Sequence, residues 1–178
     1  MRRLSGIALL LLLLSACTPH INPQNLDSNQ KKLYTLLIRD KHIDTKEAHT
    51  LAHEAVYYSR QLATRYQVTT PPLVHNFLVN TRIKSRGLCY QWSDDLYLHL
   101  QKFHFQTIQL KPVGAHIGSY WREHNALVVL PQHSSNLSAG ILLDAWRHAG
   151  KLYFIPILKD PAYHWKIRTD RCDVYKGR

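Results

Sequence analysis

The spacing of apolar residues changes character once along this chain, near residue 105, and that change constrains the fold more than any other feature. Before it, apolar positions recur at helical intervals. In "KKLYTLLIRDKHI", Leu33, Leu36, Leu37 and Ile43 share one face. "DTKEAHTLAHEAVYYSRQLATRYQV" is the clearest helix: Ala48, Leu51, Ala52, Ala55, Tyr58 and Leu62 form a stripe, and Asp44 followed by Glu47 predicts a capping box. The prolines of "TTPPLVHN" end it. Residues 74–82 fit neither period. From Cys89 to about Phe103 the helical pattern returns, with Trp92, Leu96, Leu100 and Phe103 on one face. After it, "FQTIQLKPV" alternates with period two. "HNALVVLP", "AGILLDAW" and "KLYFIPIL" are short, mostly apolar runs, with the turn-rich "QHSSNLSAG" among them. Helices first and strands afterwards predict an α+β domain, with N-terminal helices packed on a mainly antiparallel sheet.

The first residues stand outside that domain. "MRRLSGIALLLLLLSAC" sets two arginines before a short apolar run and small residues, the layout of a secretory signal. The run from Leu4 to Leu14 is about half of the ~20 residues that a bilayer-spanning helix needs. Its end, "LSAC", resembles the bacterial lipobox. The resemblance implies cleavage before Cys17 and lipid attachment at Cys17. Because Thr18 is not Asp, it also implies sorting to the outer membrane, facing the periplasm. On this reading residues 1–16 are a lipoprotein signal peptide and 17–30 the lipidated N-terminus and a polar tether. Residues 31–178 are then a single domain held to the membrane through its N-terminal lipid.

The formal charge is +11, but Lys and Arg are spread along the chain with no aromatic–basic stripe. Anionic envelope surfaces fit this better than nucleic acid, which is not expected as a partner. Cysteines stand at 17, 89 and 172. With Cys17 lipidated, two remain in an oxidising compartment, so a Cys89–Cys172 bridge stays open at this point.

The stretch "RGLCYQWSDDL" places Cys89 just after a Gly, where a loop turns into a helix. First-turn N–H groups and the positive end of the helix dipole favour thiolate over thiol there. The same groups suit a developing oxyanion. A thiol nucleophile needs a base and an orienting partner. His124 opens the run "HNALVV" and Asp144 closes "GILLD", so two neighbouring strands would bring a His and an Asp to one sheet edge.

This order of Cys, His and Asp resembles the transglutaminase-like branch of the papain-like cysteine enzymes. "GLCYQWSDDL" is similar to the family's helix start, "EHNALVV" to its His strand and "LLDAW" to its Asp strand. Two details depart from the family pattern: Asn125 and Ala126 follow the His where an aromatic is usual, and Ala145 follows the Asp where Pro is common. The resemblance implies Cys89 as nucleophile, His124 as general base and Asp144 as its orienter. The activity it implies is a peptidase, amidase or acyl transfer acting on a peptide or protein substrate. Trp92, Tyr120, Trp121 and Glu123 are expected near the cleft, and Asn80 as an oxyanion donor. Two other readings stay open. One is a non-catalytic fold of the same type, serving as a binding or scaffold lipoprotein of the outer membrane. The other is a structural envelope protein held by the 89–172 bridge.

Other candidates carry less. His49 and His53 lie one turn apart with Glu54 beside them, but "HTLAHE" lacks the His-Glu-x-x-His order of a zincin and reads as a solvated face. Asp94 and Asp95 are adjacent and point apart on a helix. The sequence has no Gly-rich phosphate loop, no Cys-x-x-Cys and no Gly-x-Ser-x-Gly, so neither cofactor nor metal is expected. Arg147 and His148 after Trp146 are read as facing substrate or water.

Overall fold

The computed structural model describes residues 27–119 and 121–169. The signal segment, Cys17, Tyr120 and Cys172 lie outside the described residues. Helix α1 (Ser28–Leu37) is followed by α2 (Thr45–Arg65), α3 (Pro72–Asn80) and α4 (Cys89–Gln101). Strands β1 (Ile108–Ala115), β2 (His124–Pro131), β3 (Ile141–Asp144), β4 (Tyr153–Pro156) and β5 (Lys166–Ile167) form one antiparallel sheet in the order β4-β3-β2-β1-β5. This is the expected α+β architecture, with α4 and the helices behind it lying against the sheet. Among the described residues, no helix is long and apolar enough to cross a membrane.

Local chemistry sets the helix starts. Asp27 accepts from the N–H groups of Asn29 and Gln30, and Gln30 reaches back to the Asp27 N–H. That reciprocal cap starts α1 at Ser28, inside the stretch read as tether, and Gln30 is buried. At α2, Asp44 caps Lys46 and Glu47 as expected. Glu47 does not complete the box. Its carboxylate instead takes the N–H groups of Gln106 and Thr107, tying α2 to the start of β1. The ambiguous segment is helix α3, entered through Pro71 and Pro72. Phe103 falls beyond the end of α4 and is 38% exposed, unlike the buried Trp92, Leu96 and Leu100.

The whole of β2 is buried, which explains its continuous apolar run. One face, with Leu127 and Val129, packs on α2 and α4 through Leu51, Ala55, Leu62, Trp92, Leu96 and Leu100. The other, with Ala126, Val128 and Leu130, is covered by Ile157 and Trp165 from the C-terminal segment. Two buried layers flank a central strand, and His124 is its first residue.

Candidate active site

Cys89 is the first residue of α4 and a free thiol. Leu88 has no polar side chain to cap the helix. Gln91 takes that role by accepting from the N–H groups of Gly87 (2.7 Å) and Leu88 (3.0 Å). The indole N–H of Trp92 donates to the Gly87 carbonyl at 2.9 Å. The buried His75 ring lies 2.9 Å from the Arg86 carbonyl through Nε2. Gly87 is required twice: its φ is +130°, and a Cβ there would stand 2.3 Å from His75 Nε2. Four contacts thus fix the turn that presents the sulfur. Trp92, expected in the cleft, is instead 2% exposed and braces this turn from the core side.

His124 and Asp144 are each 2% exposed. The register pairs Leu127 with Leu143, so Asp144 falls opposite Ala126. By the two-residue period of strands, His124 and Asp144 lie on one face as diagonal neighbours. His124 Nε2 meets Asp144 Oδ2 at 2.7 Å. The other ring nitrogen is not engaged by Asp144, and the ring lies near enough to Cys89 for each group to shift the other's ionisation. The rings of Trp146, Tyr163 and Trp165 enclose the imidazole at centroid distances of 4.7, 4.8 and 5.4 Å.

Asp144 has its hydrogen-bonding capacity filled. Oδ2 accepts from His124 and from Arg147 Nε at 2.9 Å, and Oδ1 accepts from the N–H groups of Trp146 and Arg147. Arg147, expected to face substrate or water, instead bridges Asp144 to Asp160, which it grips with both terminal nitrogens at 2.9 and 2.8 Å. Asp160 also accepts from the Trp165 indole at 2.8 Å. His148 is exposed and packs on Tyr153.

A second chain of contacts reaches the sulfur through Asn125. Its Nδ2 points at Cys89 Sγ (3.7 Å), and its Oδ1 accepts from Arg168 NH1 at 2.7 Å. Arg168 is buried and also meets Glu123 at 2.6 Å. Because a guanidinium only donates, it fixes which end of the Asn125 amide faces the thiol. Sequence reading missed this pair. Arg168 lies far along the chain, and Asn125 reads as a departure from a familiar pattern rather than as a donor.

The electrostatics follow from these partners. Burial opposes ionisation of Cys89, but the His124 hydrogen bond and charge, with donation from Asn125, hold its pKa below the ordinary thiol value. Burial would lower His124, yet the Asp144 carboxylate raises it to about 9. Burial would raise Asp144, yet the charges of His124 and Arg147 hold it below the usual carboxylate range. The partners therefore shift both groups toward the thiolate–imidazolium pair, His124 by the Asp144 carboxylate and Cys89 by His124 and Asn125.

Cys89 opens on a cleft of about 540 Å³. Leu73, Phe77 and Trp121 form an apolar wall and are 74%, 63% and 87% exposed. Asn76, Asn80, Glu123 and Asn125 supply the polar lining. Trp121 and Glu123 thus lie where the sequence reading put them. Asn76 was not anticipated: its Oδ1 accepts from the Trp146 indole at 3.0 Å, which leaves the amide NH₂ for a ligand.

The weaker sequence candidates lie elsewhere. Glu54 is buried, not solvated, and ties His53 (3.1 Å) to His99 (2.8 Å) between α2 and α4. Asp95 receives the Tyr66 hydroxyl and Arg86. Comparison of the chain with protein-family models, curated proteins and solved structures finds no match.

Proposed function

We propose that this chain is a lipid-anchored envelope enzyme that moves an acyl group from an amide to water or an amine through Cys89. The observation that carries the reading is the placing of Cys89 on a cleft and beside the buried His124–Asp144 pair, with the carboxylate fully hydrogen-bonded and, among the described residues, the Asn125 amide and the Glu123 carbonyl within reach of the sulfur. Such a set has the geometry of an activated nucleophile, a base and an orienter.

The thiolate attacks the amide carbonyl carbon, a C–S bond forms, and the carbonyl electron pair moves to oxygen. Cys89, Tyr90 and Asn76 line the cleft, and the first-turn N–H groups of α4 with the Asn76 amide are the donors we assign to that charge. The His124 imidazolium gives its proton to the leaving nitrogen as the C–N bond breaks. The resulting thioester is resolved when the neutral imidazole takes a proton from water or an amine, the acceptor attacks, and the thiolate leaves. Asp144 stays ionised and stabilises the charged ring. The exposed apolar wall of Leu73, Phe77 and Trp121 supports a substrate with an apolar segment beside the scissile amide.

The test is to trap the thioester. The protein is incubated with peptides carrying C-terminal or glutamine amides, quenched in acid and mapped by mass spectrometry. The proposal predicts an acyl adduct on Cys89, with release of ammonia or amine, and neither in Cys89→Ala. An accessible thiol that never acylates would favour the scaffold reading.

A further inference from the structure

Three metal-binding side chains with no part in the thiol site meet on the surface. The Asp40 carboxylate, the His42 ring and the His133 ring bring one ligand atom each to within 4.8 Å of one another. Asp40 and His42 belong to the turn between α1 and α2, and His133 to the loop after β2. His124 opens β2 and His133 lies past its other end. At a rise of ~3.3 Å per residue, the cluster is roughly 25 Å from the thiol.

Both segments are held in place. The His42 N–H donates to Asp40 Oδ1 at 2.9 Å, which aims the carboxylate, and the turn closes through Ile43 N–H to Asp40 O at 3.2 Å. Ile43 anchors it in the core. On the other side, Gln109 Nε2 donates to the carbonyls of Gln132 (3.3 Å) and Ser134 (2.6 Å), bracketing His133. The Gln132 N–H donates to Thr107 O at 2.8 Å. The two imidazoles lie 4.3 Å apart, centroid to centroid, tilted by 56°. Ligand atoms on a tetrahedral zinc ion, with bonds of about 2.0–2.1 Å, stand roughly 3.3 Å apart. Small rotations of three accessible side chains therefore close the set.

We infer that Asp40, His42 and His133 form a surface site for a divalent transition ion of the Zn²⁺ class, clipping the α1–α2 turn to the loop after β2. Two imidazoles and a carboxylate are donors that zinc accepts, with a fourth position left to water. The nitrogen donors disfavour Ca²⁺. Arg39 and Lys41 flank the site and oppose a cation, so binding is reversible rather than tight.

The experiment titrates ZnCl₂ into the purified full chain by calorimetry, with CaCl₂ as a control. The expected result is one zinc per chain and a rise in melting temperature with zinc. His42→Ala and His133→Ala each weaken binding at least tenfold and abolish that rise, and Asp40→Asn weakens binding less. His164→Ala, at an exposed histidine just before β5 and outside the cluster, changes nothing. Melting curves without zinc check that the variants are folded. Zinc binding that survives both His42→Ala and His133→Ala, whether at Cys89 and His124 or elsewhere, overturns the inference. So does the absence of binding, or equal binding of calcium.

Discussion

Replacing Asp144 by Asn tests the buried network most severely, because it removes one charge and little volume. The carboxylate is 2% exposed and accepts four hydrogen bonds. Breaking a buried charge pair from one side costs about 3–5 kcal/mol. Two features hold the cost at the low end here. Arg147 keeps its two-pronged pair with Asp160, and an Asn oxygen still accepts from the Trp146 and Arg147 N–H groups. About 3 kcal/mol lowers Tm by about 6–12 °C for a domain of ~150 residues. The pH dependence is specific. Asp144 is held below its ordinary 3.8, so its contribution is present above that value and is lost as pH falls below it. His124 is raised from 6.5 to about 9, so its share is present below 6.5 and is lost as pH climbs through about 9. The gap in Tm between wild type and Asp144→Asn should therefore be widest between those limits and narrow on both sides. Calorimetry across pH measures it. A fall of less than about 2 °C at neutral pH, or an equal gap at pH values well below 3.8, would refute the reasoning.

Other substitutions separate the parts of the site. Gly87→Ala forces a side chain into a φ of +130° and against His75. It should cost about 1–3 kcal/mol or more and displace the thiol, visible as slower Cys89 alkylation in protein that still melts cooperatively. Asn125→Ala removes the amide donor to Sγ, and Arg168→Met frees that amide to turn. Both should shift the pH midpoint of Cys89 labelling upward, the second with an added stability loss from the unpaired Glu123. Trp121→Ala, at an 87% exposed position, should leave stability within about 0.5 kcal/mol of wild type and thiol reactivity intact, while reducing acyl-adduct formation from peptides with apolar side chains.

The α+β order was legible because period is local: the stripe from Ala48 to Leu62 and the run of β2 each state their own geometry. The meeting of Cys89, His124 and Asp144 could also be anticipated from their places at element ends. What escaped was long-range. Arg168 on Asn125, Trp146 on Asn76 and Glu47 on Thr107 join residues whose spacing carries no signal. Trp92 was misplaced for a simpler reason: its helical position gives a face, and the face turned toward the core. Phe103 kept the helical period but lay past the last turn of α4.

Alkylation of Cys89 tests the central claim most directly. A thiol of ordinary pKa, about 8.5, is under ~1% thiolate at about pH 6. If the imidazolium of His124 and the Asn125 donors hold the sulfur ionised, iodoacetamide at about pH 6 should label native Cys89 at least ~10-fold faster than a model thiol, even after allowing for the weaker nucleophilicity of an acidic thiolate. His124→Ala should remove most of that advantage, and Asp144→Asn a smaller part. Denatured protein supplies the reference for access. A native Cys89 that is accessible yet reacts no faster than the model thiol, with no change on His124→Ala, would contradict the account.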